Sequence, residues 1–279
     1  MSDKLEAIKK LAENLPKEVK ASAQALVERM GTKIEGIGDN PIEWRPENLR
    51  VVQPSSDRSK LPKGTPIGAI MLGEKEAKQP LKSIPIRMWN SRQMWSPDKD
   101  ENRLLCFSPD GLVGSKYGLC KDCQYGKFDE EAGRSACNKG KTVLALTTDF
   151  STVFSATFTK TNYQNGNQWA QMMTKARVAP YKRIYELKTK TSEKYKNVEA
   201  LLVDTQNETT PVEYLPFLEA LFEKFDDDRK IYLKRFEETI RLKQDTTPLL
   251  PSPDQGDNVK ALEAPATTQQ SEMAKKYEL

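Results

Sequence analysis

The 279-residue chain contains no histidine. That absence removes Ser-His-Asp and Cys-His catalytic arrangements, histidine-bearing metal sites and H-E-x-x-H metalloproteases. It also removes the commonest general base. Neither a P-loop nor a G-x-G-x-x-G fingerprint occurs. Apolar residues make up 37% of the chain, below the ~45–50% of an ordinary globular domain, so part of the chain is expected to lie outside any core. No stretch approaches the ~18–20 apolar residues of a membrane span. Met1-Ser2-Asp3-Lys4 leads into a charged amphipathic run without a secretory pattern. The expectation is a soluble cytoplasmic protein with no membrane partner, one that binds and does not catalyse.

Length allows one large domain or two small ones. Net charge is only +4, yet it is unevenly placed. Residues 81–200 carry 20 basic and 12 acidic side chains, whereas residues 201–279 carry 10 basic and 16 acidic. A cationic middle joined to an anionic end points to an anionic partner for the former and protein contacts for the latter. Ordinary solvated surfaces would give the same totals.

Apolar residues recur at helical spacing over 3–30, with Pro16 placed to open a second helix and Gly31 to stop it. This segment, 1–48, reads as a helical arm that either docks or associates, or packs as an edge of the core. Extended segments follow at 49–53, 67–72, 83–89, 103–108, 141–148, 152–159, 181–190 and 196–203, each bounded by turn formers. One short helix interrupts them at 166–178. Residues 205–243 return to helix, with Asp226-Asp227-Asp228 as an expected break or cap between two helices. Residues 244–279 are rich in Pro, Gln, Thr and Ser and lack a periodic apolar face, the composition of a disordered tail. The fold class expected is α+β: a mainly antiparallel barrel or sandwich over 49–204, flanked by helices at both ends.

All four cysteines, Cys106, Cys120, Cys123 and Cys137, fall within 32 residues, spaced C-x13-C-x2-C-x13-C. The central pair can reach one metal, and six glycines among and beside the cysteines suit tight turns. Four thiolates in tetrahedral array form a closed structural zinc site, here a knuckle over 106–137. An iron–sulfur cluster uses the same ligand type. A redox C-x-x-C needs no outer cysteines, and disulfides need an oxidising compartment. Nearby lysines would offset the −2 charge of a zinc tetrathiolate.

Basic and aromatic residues interleave in Arg87, Trp89, Arg92 and Trp95, in Lys116 and Tyr117, around Tyr163, and in Lys182, Arg183, Tyr185, Lys188 and Tyr195. Tyr181, Arg183 and Tyr185 would share one strand face. Cations that track phosphates and rings that stack on unpaired bases are what single-stranded nucleic acid requires. Core packing accounts for any one of these aromatics equally well. DNA and RNA are separated only by contacts to the 2′-hydroxyl.

A β core with a four-cysteine knuckle, a basic-aromatic face and an acidic C-terminal end resembles bacteriophage single-stranded DNA-binding proteins. Cys106, Cys120, Cys123 and Cys137, with the strands through Tyr181–Val203, carry the resemblance, which spans about 49–204. It implies an OB-like barrel, structural zinc, no enzymatic activity, and a role in DNA replication, recombination or transcription. It also implies contact of the acidic end with replication or transcription proteins; self-association is a further expectation. A polymerase- or helicase-binding accessory factor, or a zinc-stapled structural protein, is the competing expectation.

Overall fold

The computed structural model describes residues 2–31, 45–97, 103–130, 133, 135–191 and 199–246. The expected disorder of the tail beyond 246, the hairpin turn near 192–194 and Tyr195 lie outside these residues.

Two helices open the chain, α1 (Ser2–Glu13) and α2 (Lys17–Gly31). Pro16 separates them, and its carbonyl accepts from Lys20 N at 2.9 Å. Proline suits this position because its missing N–H would have no helical partner. Ile8, Ala12, Leu15, Val19, Ala23, Leu26 and Val27 form one stripe along the pair and are all buried. They join Phe217, Leu218, Leu221 and Phe225 of α4 (Leu215–Thr246) in the larger apolar cluster. The N-terminal segment is therefore a packed layer of the core.

In the chain between these helices comes a curled, mixed half-barrel sheet. Its strands are β1 (Glu47–Val51), β2 (Ile70–Leu72), β3 (Lys75–Ala77), β4 (Leu81–Trp95), β5 (Leu104–Ser108), β8 (Cys137–Thr147), β9 (Val153–Thr159), β10 (Arg183–Thr191) and β11 (Glu199–Thr209). The order is β11-β10-β4-β8-β9-β1-β2-β3, with β5 added to the far half of β4. All pairs are antiparallel except β1 with β9. Two short strands, β6 (Val113–Gly114) and β7 (Gly118–Leu119), form a separate ribbon. The curl brings distant strands together: Thr189 of β10 donates through Oγ1 to the Gly68 carbonyl, just before β2, at 2.7 Å. Among the described residues no helix is long and apolar enough to cross a membrane.

Both sheet faces are covered, as alternation along β8 requires. Leu144 and Leu146 face α1, α2 and α4, whereas Val143 and Ala145 face the helix α3 (Tyr163–Ala176). A bulge in β4 at Ile86, between Pro85 and Arg87, shifts this parity, so Ile84 before it, Ile86 in it and Trp89 after it all meet the helical layer. Pro85 stands next to this irregularity, where a sheet accommodates proline.

Two expectations are corrected. Asp226-Asp227-Asp228 does not break the C-terminal helix; α4 is continuous to Thr246. Each aspartate has a cation: Asp226 pairs with Arg87 and, at 2.8 Å, with Lys230; Asp227 pairs with Lys4; Asp228 pairs with Lys224 at 2.6 Å. Neutralised one turn away or across the interface, the triplet is compatible with helix. Gly166 does not start the inserted helix but lies inside α3.

Candidate functional site

The knuckle grows from the far half of β4. Met94 stands opposite Cys106 of β5 on one side and Cys137 of β8 on the other. Directly opposed residues share a sheet face, so both outer cysteines project the same way. The chain between them folds back over this face. Cys120 N donates to the Leu112 carbonyl at 2.8 Å, and the turn after Cys123 closes with Gly126 N on the Cys123 carbonyl at 3.0 Å. All four cysteines are free thiols and line one cavity of about 10 Å³, together with Arg92, Tyr117 and Tyr125. That is room for about one water-sized sphere.

Gly114 makes the convergence possible. A Cβ there would lie 2.9 Å from Cys106 Sγ and 3.8 Å from Cys120 Sγ. Tyr117 and Tyr125 pack ring to ring over the same cavity, centroids 4.7 Å apart. Burial pushes the Cys120 thiol up, against the lowering effect of a Ser108 hydrogen bond and the Arg92 charge. Burial also pushes the Cys137 thiol up, again opposed by Arg92. As the side chains stand, no group of three or more His, Cys, Asp or Glu among the described residues is arranged to hold a metal ion. The donor chemistry nevertheless fits a thiophilic cation: four thiols of one type, a single small cavity, a glycine cradle and a guanidinium to balance anionic sulfur.

The basic-aromatic residues divide into two groups. Arg87 pairs with Asp226, and its guanidinium lies 4.9 Å from the Phe222 ring centroid. Trp89 is half-buried beneath Arg229. Tyr185 is 5% exposed and packs edge-on against the fully buried Trp169, ring centroids 5.7 Å apart. Tyr181 is buried in the opposite cluster, so Tyr181 and Tyr185 do not form one platform; Tyr181 lies in the single 3-10 turn Pro180–Lys182 ahead of β10, outside the alternation of the strand. Lys188 pairs with Asp204 at 2.5 Å. Tyr163 is half-buried at the start of α3, Arg183 is half-buried, and Lys182 is exposed.

The second group gathers at the knuckle. Trp95 is 39% exposed, opposite Leu104 of β5, and Phe128 is 68% exposed. Lys116, Lys121, Lys127 and Lys139 are exposed and have no carboxylate partner among the described residues. Lys116 Nζ lies 5.3 Å from the Tyr117 ring centroid. Arg92 points inward, to the cysteines. Sequence reasoning missed Tyr125 and Phe128 as parts of this site, although both lie between Cys120 and Cys137; it read Gly114 and Gly126 as turn formers of the knuckle, and the structure adds that their missing side chains leave room for Cys106 and Arg92. No known protein family, curated protein or solved structure matches the chain.

Proposed function

We propose that the protein binds single-stranded nucleic acid, DNA in the first instance, without catalysing a reaction, and that a structural zinc held by Cys106, Cys120, Cys123 and Cys137 pins the binding face. One observation carries this reading. Exposed aromatic rings and lysines without carboxylate partners coincide at the knuckle end, whereas several basic residues elsewhere on the sheet (Lys82, Arg87, Lys188) are ion-paired. Trp95, Phe128 and the half-buried Tyr117 supply stacking surfaces, each stack contributing about 1–3 kcal/mol. Lys116, Lys121, Lys127 and Lys139 supply phosphate contacts. The curled mixed sheet supports an OB-like core as scaffold. Zinc would supply a cross-link with no open coordination position. The anionic surface of the C-terminal region remains for replication or transcription proteins.

A second reading is favoured by Leu104, Leu112 and Leu119, all exposed beside these lysines. Aliphatic side chains serve a protein partner better than a base, and under that reading the knuckle docks a polymerase or helicase.

Fluorescence anisotropy of labelled oligo-dT, oligo-rU and an equal-length duplex, at low and moderate salt, separates the two. Binding to oligo-dT that falls with salt, with a log–log slope of about −0.7 per phosphate, and a weaker duplex signal are expected. Zinc content is read on the same preparation. No binding at low salt by zinc-loaded protein overturns the nucleic-acid reading.

A further inference from the structure

Arg92 sits on β4 opposite Ser108 of β5 and Lys139 of β8. Its side chain does not join the lysines at the surface. It is half-buried and lines the cavity of the four thiols. Its Nη1 lies 2.6 Å from the point a Gly126 Cβ would occupy, so Gly126 is the gap that admits the guanidinium. Among the described residues no carboxylate is paired with it. A half-buried cation without an anion is costly. Arg87 meets this need with Asp226. Around Arg92 the groups able to become anionic are the cysteines, and they do so when a cation displaces their protons.

We infer that Arg92 is the built-in counter-charge of the cysteine site, a positioning residue that holds the thiolates for a divalent thiophilic cation, and that it is not a phosphate contact. The inference rests on the zinc reading above. Four thiolates and a dication carry −2; the adjacent guanidinium brings the site to −1. A single remaining charge is better tolerated in a half-buried pocket and repels an approaching phosphate less. Gly126 belongs to the same device, because a Cβ there would make the guanidinium end shift from its place.

The test is zinc affinity of the full chain by competition with a chromophoric chelator, with the charge-transfer band of the cobalt-substituted protein as a second readout. Partners that support metal ligands from outside the coordination sphere typically change affinity 10–100-fold when removed. Arg92→Gln is expected to weaken zinc binding by that range and to alter the cobalt band. Gly126→Ala, which requires only the flexible guanidinium end to shift, is expected to weaken binding less than Arg92→Gln. Arg92→Lys, which keeps the charge, is expected to retain most of the affinity, and Lys121→Gln, which removes a surface charge, all of it. Parent-like affinity in Arg92→Gln overturns the inference. So does an Arg92→Lys variant as weak as Arg92→Gln. A parent chain that binds neither zinc nor cobalt overturns the zinc reading itself, a result distinguishable from either of these.

Discussion

Arg229 of α4 lies over the indole of Trp89 in β4, its Cζ 4.4 Å from the ring centroid. Its Nη2 also donates to the Pro109 carbonyl at 3.3 Å, at the base of the knuckle. With Arg87 on Asp226, this clasps β4 to α4. The ring that the sequence offers as a stacking platform is already covered by the protein's own cation. Arg229→Ala is expected to lose the cation–π contact, worth ~0.5–2 kcal/mol, and one hydrogen bond of ~0.5–1.5 kcal/mol. Urea unfolding should report a loss of about 1–3 kcal/mol, and affinity for oligo-dT should be unchanged. A stable variant with altered affinity would make Trp89 part of the binding face.

The same logic applies to Tyr185. Its ring is packed against Trp169, and burial raises its hydroxyl pKa. Tyr185→Ala should cost roughly 3–5 kcal/mol, as large aromatic truncations in cores do. Tyr185→Phe should bind oligo-dT like the parent, whereas Trp95→Ala and Phe128→Ala should each weaken binding by about 1–3 kcal/mol with unchanged unfolding midpoints. Reversal of these two patterns would return the site to β10.

Much of the fold was legible because period and punctuation agree locally. Pro16 and Gly31 bound α2, and turn formers bound the expected strands. What was not legible depends on neighbours distant in sequence. The bulge after Pro85 flips Arg87 and Trp89 toward α4, and nothing near them in sequence marks that face as covered. The aspartate triplet reads as a helix breaker until Lys4 and Arg87 supply its partners. Cysteine spacing exposed the knuckle, yet charge pattern alone could not tell Arg92, turned inward, from Lys139 opposite it.

Gly166 shows how closely α3 approaches the sheet. A Cβ at this position would lie 2.6 Å from Phe158 Cβ and 3.0 Å from Lys141 Cβ. These are atoms next to the backbone and cannot swing aside. Gly→Ala in a helix interior normally gains up to ~1 kcal/mol. Here Gly166→Ala is expected to destabilise by about 1–3 kcal/mol through overpacking. Thermal unfolding with the ordinary gain would show that α3 can lift from β9 at little cost.

Metal removal should act locally. No described residue from 95 to 136 belongs to any of the apolar clusters that hold the sheet and helices together. A region with few buried apolar contacts opens independently of the global fold. Chelation of the zinc-loaded chain is expected to raise hydrogen exchange at Ser115, Cys120 and Gly126 while amides of β8 and α2 keep their protection. Global loss of protection would mean that the knuckle nucleates the sheet.

Asp149 links pH to the same core from its other end. Partial desolvation alone would raise its carboxyl pKa, but hydrogen bonds from Thr147 Oγ1 at 2.6 Å, Ser151 N at 3.0 Å and Ser151 Oγ at 2.9 Å outweigh that and hold it low. The turn they fix places Phe150, at a φ of 60°, against Phe217. A depressed folded-state pKa stabilises the fold above the unfolded carboxylate value of about 3.9. That contribution is lost as pH falls through the lower folded value. Because the side chain is exposed, solvent screening limits it to under about 1 kcal/mol. The stability difference between the parent and Asp149→Asn should hold from pH 7 to about 5 and close toward pH 2. A difference independent of pH would assign the effect of Asp149 to turn geometry and not to its charge.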